Sequence, residues 1–478
     1  MRTQLLIPLF MAYAVLLSAQ GEIVEVTLLE TLSQQELQQL NPLAEYGCDV
    51  YKIQYTTTDL DEEIDTASGA FFIPDGEGER YPLLVYQHGT VNDKFQVPSR
   101  GSYEVAPFTA SMGYLTLAPD YLGLGDSRGF HPYVHSATEA SAAIDMMFAL
   151  RDYLDGEGIA YNDQLFVTGY SQGGHGGAAL HKAVEDGLAG DFEVTAAAHL
   201  SGPYSISGEM AGLLFNDSTE YFYPGFIGNT YLSYNEVYEL YDSTAQFFKQ
   251  PYADIVDFYF ANFESGNSSI GLSYMNNRMI DSLTAREGGS FPGAMLQDSI
   301  LNIIANEADH PVSQALRDND LFDWSPQAPT RLFYCMADDQ VPFTNSLVAD
   351  SVMNLNGAPD VQSADVGSDL NHVQCVAPAV TQMILFFEGF KEVTSTRELA
   401  SLPGVNAFPN PAQDRLFLSH VPAGSRVQFF SPDGRLVVEQ ELQGTPAAVA
   451  LDGLPQGLYL VQVLAAEGRW TGRVIVAD

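Results

Sequence analysis

Leu83-Leu84-Val85-Tyr86, Leu115–Ala118 and Leu165–Thr168 are short apolar runs separated by long stretches of mixed sequence. A run this short with no polar alternation reads as a strand covered on both faces, and strands of that kind belong to a parallel sheet sandwiched between helices. Thr138–Leu154 lies between the last two runs and places Ala142, Ile144, Met147, Leu150 and Leu154 close to helical spacing, with Asp155-Gly156 ending the pattern. That is a β-α-β unit. Further strands are expected at Val194–Leu200, Arg331–Met336 and near Val361, with a closing helix from Ala377 to Phe390. Upstream, a helix containing Thr31 to Leu40 precedes strands at Val50–Tyr55 and Ala67–Ile73, the second closed by Pro74-Asp75-Gly76. Residues 20–201 and 328–395 therefore read as one α/β core.

Two segments break the alternation. Residues 202–327 are crowded with aromatics, among them Tyr221, Phe222, Tyr223, Tyr231, Phe247, Phe248, Phe258, Tyr259 and Phe260. About 125 residues is an inserted subdomain, not a loop. Val237, Leu240, Tyr241 and Phe248 fall at helical spacing, as do Ile255, Phe258 and Tyr259, so the insertion is expected to be mainly helical, its rings serving as core or as substrate wall. The second misfit follows a linker at 396–401. Arg426–Phe430 and Arg435–Leu442 alternate around Ser431-Pro432-Asp433-Gly434, and Ala447–Leu451, Gly457–Leu464 and Arg469–Val476 continue as strands with no helical stretch. Residues 402–478 read as a separate all-β sandwich.

Hydrophobic residues make up 46% and charged residues 17%, a balance that supports a packed core and argues against disorder. Twenty Lys and Arg face 61 Asp and Glu, for a net charge of −41, nearly all of it on residues 21–400. Such a surface has no electrostatic attraction to phosphate backbones or anionic lipid, which excludes nucleic-acid binding. Arg2, the apolar stretch Leu5–Leu17 and Ser18-Ala19-Gln20 read as a secretory signal, residues 1–19, cleaved near Ala19. The run is too short to span a bilayer, and no cysteine lies beside the cleavage point to take a lipid anchor, so no integral membrane segment is expected after cleavage. Three cysteines (Cys48, Cys335, Cys375) are too few for a disulfide-framed scaffold.

Gly169-Tyr170-Ser171-Gln172-Gly173-Gly174 directly follows the strand Leu165–Thr168 and opens a helix through Leu180. It matches G-x-S-x-G in the strand-to-helix context that gives the motif its meaning: small neighbours permit a tight turn that projects the hydroxyl at the carboxyl edge of the sheet. Ser171 is the candidate nucleophile. A serine hydroxyl needs a histidine base and an orienting carboxylate, which follow it in the order acid, then histidine. Of nine histidines, His372 and His420 follow a late strand and acid, and His420 sits in the β-sandwich, so His372 is the candidate base. Ala337-Asp338-Asp339-Gln340-Val341-Pro342 supplies the acid, Asp338 by preference and Asp339 as the alternative. Two N–H donors must receive the oxyanion, and Gln172, after the nucleophile, and Thr90, in His88-Gly89-Thr90 after a core strand, fill those places. His88 reads as structural. His175, His131 and His135 lack the spacing of a known metal site, and neither a metal nor a cofactor is expected.

Together with Ala118-Pro119-Asp120-Tyr121-Leu122-Gly123-Leu124-Gly125-Asp126-Ser127 and His131-Pro132-Tyr133, these motifs resemble the α/β-hydrolase superfamily and, within it, the secreted lipase/esterase group, over roughly residues 45–395. The resemblance implies an α/β-hydrolase sheet, a triad of Ser171, Asp338 and His372, and a cap at 202–327 that shapes or covers the acyl pocket. Ala407-Phe408-Pro409-Asn410-Pro411-Ala412, Asp433-Gly434-Arg435 and Gly457-Leu458-Tyr459 resemble the type A sorting domain of the type IX secretion system of Bacteroidota, with Phe408 where tyrosine is usual. That resemblance implies a Gram-negative source, export through periplasm and outer membrane, the secretion machinery as a partner of residues 402–478, and a secreted or cell-surface product.

The expectation is a secreted serine hydrolase cleaving small-molecule or lipid carboxylic esters. A peptidase of the same fold and a non-catalytic cell-surface adhesion protein are the competing readings, and the C-terminal sandwich alone is equally compatible with a carbohydrate-binding or adhesive module. Cys335 lies three residues before Asp338 and Cys375 three after His372, so a disulfide between them would tie the two triad loops together.

Overall fold

In the computed structural model, the described residues are 21–392 except 77 and 78, the pair 394–395, and 402–477 except 403, 423, 432–435, 443–445, 452, 466 and 467. The expected signal at 1–19, the linker 396–401 and the Asp433-Gly434-Arg435 motif lie outside them.

A mixed sheet organises the first unit. Its strands are β1 (Ile23–Leu32), β2 (Cys48–Thr58), β3 (Ile64–Pro74), β4 (Glu79–Gln87), β5 (Leu115–Pro119), β6 (Tyr161–Tyr170), β7 (Val194–Leu200), β8 (Thr330–Tyr334) and β9 (Val361–Asp365), arranged β1-β2-β3-β5-β4-β6-β7-β8-β9, and Thr394–Ser395 (β10) pairs with β4. β1 to β3 form an antiparallel meander that joins β5 antiparallel, while β5, β4, β6, β7, β8 and β9 run parallel. Helices flank the sheet: α1 (Gln34–Leu40), α2 (Ala106–Ser111), α3 (Ser136–Glu157) and α4 (Gln172–Glu185) before the insertion, α10 (Thr344–Leu355) and α11 (His372–Phe387) after it.

The doubly buried runs have a direct explanation in this layering. Val85 and Val167 pack with Met147, Leu150 and Leu154 of α3, whereas Leu84 and Phe166, one residue away on the opposite face, pack with Met383 and Phe387 of α11. Each strand must therefore be apolar at consecutive positions, not alternate ones.

Three local expectations are corrected. Thr31 and Leu32 belong to β1, and the first helix begins only at Gln34, where Ser33 and Glu36 form a reciprocal capping box. The closing helix starts at His372, earlier than Ala377, because Asn371 and Gln374 form a second capping box there and Pro378 is accommodated inside the helix. Within the insertion, α5 (Pro224–Tyr238) ends in a left-handed Glu239 at φ 51°, which places Leu240, Tyr241 and Phe248 beyond the helix and breaks their apparent periodicity. The remaining helices of this stretch are α6 (Tyr252–Asn262), which carries Ile255, Phe258 and Tyr259, α7 (Leu272–Glu287), α8 (Asp298–Asn306) and α9 (Pro311–Arg317). Tyr231, Phe247, Phe248 and Tyr259 are buried in a core shared with Tyr121, Phe130 and Tyr133, while Phe222, Phe258 and Phe260 are exposed.

Residues 396–478 form a second unit. Its strands are β11 (Asn406–Phe408), β12 (Arg415–Ser419), β13 (Arg426–Phe430), β14 (Leu436–Glu441), β15 (Ala447–Ala450), β16 (Gly457–Ala465) and β17 (Gly468–Val476). They make two antiparallel sheets, β11-β12-β15 and β14-β13-β16-β17, around Leu416, Leu418, Val427, Phe429, Val461 and Val463. β13 and β14 pair as the expected hairpin, from Arg426 opposite Glu441.

Candidate active site

Ser171 sits where β6 turns into α4. Its backbone is at φ 61°, ψ −121°, a left-handed conformation that side chains other than glycine rarely adopt. The turn is held by its N–H, which donates to Leu200 O at 2.9 Å, and by its carbonyl, which accepts from Gly174 N at 2.9 Å. The two motif glycines are needed on steric grounds: a Cβ on Gly169 would collide with the Gly173 carbonyl, and one on Gly173 with the Gln87 carbonyl. The packing that demands these glycines also keeps the turn strained, which is how a folded chain holds a reactive side chain in one place.

Asp338 follows β8 in a tight loop. One carboxylate oxygen, Oδ1, accepts the backbone N–H groups of Gln340 and Val341, both at 2.9 Å, and the other, Oδ2, stands 2.7 Å from Nδ1 of His372. The carboxylate is thus oriented before it meets the imidazole, and the side chains are only 1% and 5% exposed. Because Nδ1 donates to a carboxylate, Nε2 is the nitrogen left with a lone pair, and it is buried with no hydrogen-bond partner among the described residues. Of the two adjacent aspartates, Asp338 takes the ring; Asp339 instead accepts the backbone N–H of His372 at 3.2 Å.

Two further links hold His372 in place. Tyr170, the residue before Ser171, donates its hydroxyl to His372 O at 2.5 Å, and the two rings lie 5.0 Å apart. Cys335 and Cys375 form a disulfide across a sequence separation of 40, joining the Asp338 loop to the helix that begins at His372. Closing a loop of that length removes roughly 4 kcal/mol of unfolded-chain entropy in the simplest treatment.

Gln172 is the first residue of α4, where a backbone N–H has no intrahelical carbonyl to reach. Thr90 lies just past β4, its hydroxyl 2.9 Å from that of Tyr133. His88 is enclosed by backbone: Nδ1 faces Gly89 O at 2.7 Å, Nε2 faces Asp120 O at 3.2 Å, and its own carbonyl accepts from Tyr121.

A buried network under the serine turn was not visible in the sequence. Glu139 of α3 accepts from the Gln172 side-chain amide at 3.0 Å through one oxygen and lies 2.6 Å from His175 Nδ1 through the other. His175 Nε2 faces Asn319 O at 2.9 Å, so both ring nitrogens meet acceptors; burial disfavours the imidazolium, but the Glu139 carboxylate outweighs it and the pKa is raised. His131 is the opposite case. Its Nδ1–H donates to Leu122 O at 2.8 Å, its Nε2 accepts from Gln172, and burial pushes the pKa down to about 3. Burial also lowers His135, to about 4. Glu139 is one of several acids in the stretch that forms α3, Asp145 and Asp152 among them, and nothing local sets it apart. Among the described residues, no three His, Cys, Asp or Glu side chains are grouped to hold a metal ion.

Ser171 and Gln172 open onto a cleft walled in part by Ile206, Met210, Leu214, Tyr221 and Tyr231 of the insertion and by Tyr133 and Val341; among the described residues no charged side chain lines it.

The sheet and its flanking helices are similar to those of solved enzymes. The rice cell wall degrading esterase LipA from Xanthomonas oryzae is similar at 27% identity and TM-score 0.66, over 78% of this chain and 96% of that one. Candida antarctica lipase A in its closed state aligns at 14% identity and TM-score 0.56, over 79% of this chain and 84% of that one, a likeness of fold. This chain is an α/β-hydrolase in fold. No curated protein matches it by sequence. Residues 406–477 match the family model described as a secretion system C-terminal sorting domain. The chain is accordingly exported, to the cell surface or beyond it, and no helix among its described residues is long and apolar enough to cross a membrane.

Proposed function

We propose that the chain is a carboxylic-ester hydrolase working through an acyl-enzyme on Ser171. The observation that carries this reading is the placement of Ser171 in a strained turn on an uncharged cleft, together with the 2.7 Å pair of His372 and Asp338. In the first half-reaction the Ser171 hydroxyl attacks the ester carbonyl, Nε2 of His372 takes its proton, and Asp338 stabilises the imidazolium. The N–H groups of Gln172 and Thr90 receive the oxyanion. The protonated His372 then gives its proton to the departing alcohol, and water, activated by the same nitrogen, releases the acid and restores the serine.

The domain reading completes the proposal. Residues 20–201 and 328–395 form the catalytic domain, 202–327 the cap that walls the acyl site, 1–19 a signal removed on export, and 402–478 the part addressed to the type IX machinery. The similarity to an esterase supports ester substrates, small or lipid. An uncharged cleft also supports esters over peptides, since it holds no carboxylate to anchor a substrate amino group.

Hydrolysis of chromogenic esters from acetate to palmitate, beside aminoacyl anilides, tests the reading. Ester cleavage is expected to exceed anilide cleavage by at least about a hundredfold, with a chain-length maximum set by the cleft. Faster anilide cleavage would make the chain a peptidase.

A further inference from the structure

The insertion touches the acid loop at two points. Tyr221 donates its hydroxyl to Gln340 O at 3.0 Å, and Tyr223 donates to Asp339 Oδ2 at 3.2 Å. The other oxygen of that carboxylate, Oδ1, accepts the His372 N–H. Asp339 is thus joined on one side to the segment walling the cleft and on the other to the first residue of α11, the residue whose ring meets Asp338. A carboxylate at the start of a 16-residue helix is also favoured by the helix dipole, so the contact holds the helix end as well as the single N–H.

We propose that Asp339 is a positioning residue for His372 and couples the inserted segment to the catalytic base. It acts in two ways. Its hydrogen bond sets where the imidazole stands relative to Asp338, and its negative charge adds to that of Asp338 in favouring the imidazolium that forms during catalysis. Other ionisable groups facing this corner are Tyr170 of β6 and Tyr221 and Tyr223 of the insertion. Burial first raises the phenols of Tyr221 and Tyr223, followed by Tyr133 and the two aspartates at Tyr221 and by the aspartates at Tyr223; at Tyr170 burial and the aspartates raise the phenol against a hydrogen bond from Ser201. They remain neutral through the working range, and the carboxylates hydrogen-bonded to His372 are those of Asp338 and Asp339.

The inference rests on the proposed hydrolase reading and is tested beside it. Kinetics of a short-chain chromogenic ester are measured against pH for the full chain and for Asp339→Ala, Asp339→Asn, Tyr223→Phe, Asp338→Ala and Ser171→Ala. Asp339→Ala is expected to lower kcat about tenfold with KM little changed. Its acid limb of kcat/KM should move to lower pH, because losing a nearby negative charge favours the neutral imidazole. Asp339→Asn keeps an acceptor oxygen and should recover most of kcat while keeping the shifted limb, and Tyr223→Phe should lower kcat about twofold to threefold without moving the limb. An unshifted limb in both Asp339 variants, or unchanged kcat in Asp339→Ala, would overturn the proposal. A loss as deep as that of Asp338→Ala would overturn it too, by making Asp339 an orienting acid. Persistence of activity in Ser171→Ala would instead sink the hydrolase reading itself, so the two failures are distinct.

Discussion

Replacing Ser171 by alanine is expected to lower kcat/KM for an ester by about 10⁵-fold, because the hydroxyl that forms the covalent intermediate is gone. The residual rate would come from binding and from the oxyanion donors. The fold should persist: the left-handed φ of 61° is borne by any residue with a Cβ, so alanine adds no strain that serine lacks. The serine is 8% exposed and its hydroxyl has no structural partner among the described hydrogen bonds, so stability should stay within about 0.5 kcal/mol of the parent. Steady-state kinetics with a thermal melt on the same sample check both halves. A melt lowered by many degrees would show that the hydroxyl has a structural task.

Asp338→Asn is the second large effect, a loss of roughly 10³- to 10⁴-fold in kcat. The shape of the side chain is retained, and its carbonyl oxygen can still accept the N–H groups of Gln340 and Val341. Its amide nitrogen then faces Nδ1 of His372 across the 2.7 Å contact. Two donors cannot share that contact, so the ring adopts the tautomer with the proton on Nε2. That nitrogen can no longer take the serine proton. The variant should therefore bind substrate normally, with KM close to that of the parent, and turn it over slowly. Equal losses in kcat and in affinity would indicate a collapsed loop in place of a wrong tautomer.

How much of this was legible in the sequence depends on whether a residue's task is set by its neighbours in the chain. Leu83–Tyr86 and Leu165–Thr168 declared a doubly covered sheet because both faces of each strand are buried, and the motif around Ser171 declared its turn because Gly169 and Gly173 sit against carbonyls. β1 was illegible for the converse reason. It is an edge strand exposed along almost its whole length, so burial imposes no pattern on its sequence. The sequence preferred Asp338 but left Asp339 open, since both are the same chemistry one residue apart. Only the turn that presents Asp338 Oδ1 to two backbone N–H groups directs its other oxygen at the ring. The pairing of Glu139 with Gln172 and His175 joins residues more than 30 positions apart on two helices. No local pattern encodes it. Cys335 and Cys375 were different, because their equal offsets from the expected acid and base suggested the bond that joins them.

The most direct test of the central claim is trapping of the covalent intermediate. The full chain is mixed with an activated ester, quenched in acid during turnover, and examined by intact mass and peptide mapping. The account predicts a single acyl adduct on Ser171, absent from Ser171→Ala and formed far more slowly in His372→Ala. Sustained ester turnover by a folded sample with no adduct, or with the acyl group on another residue, would contradict it.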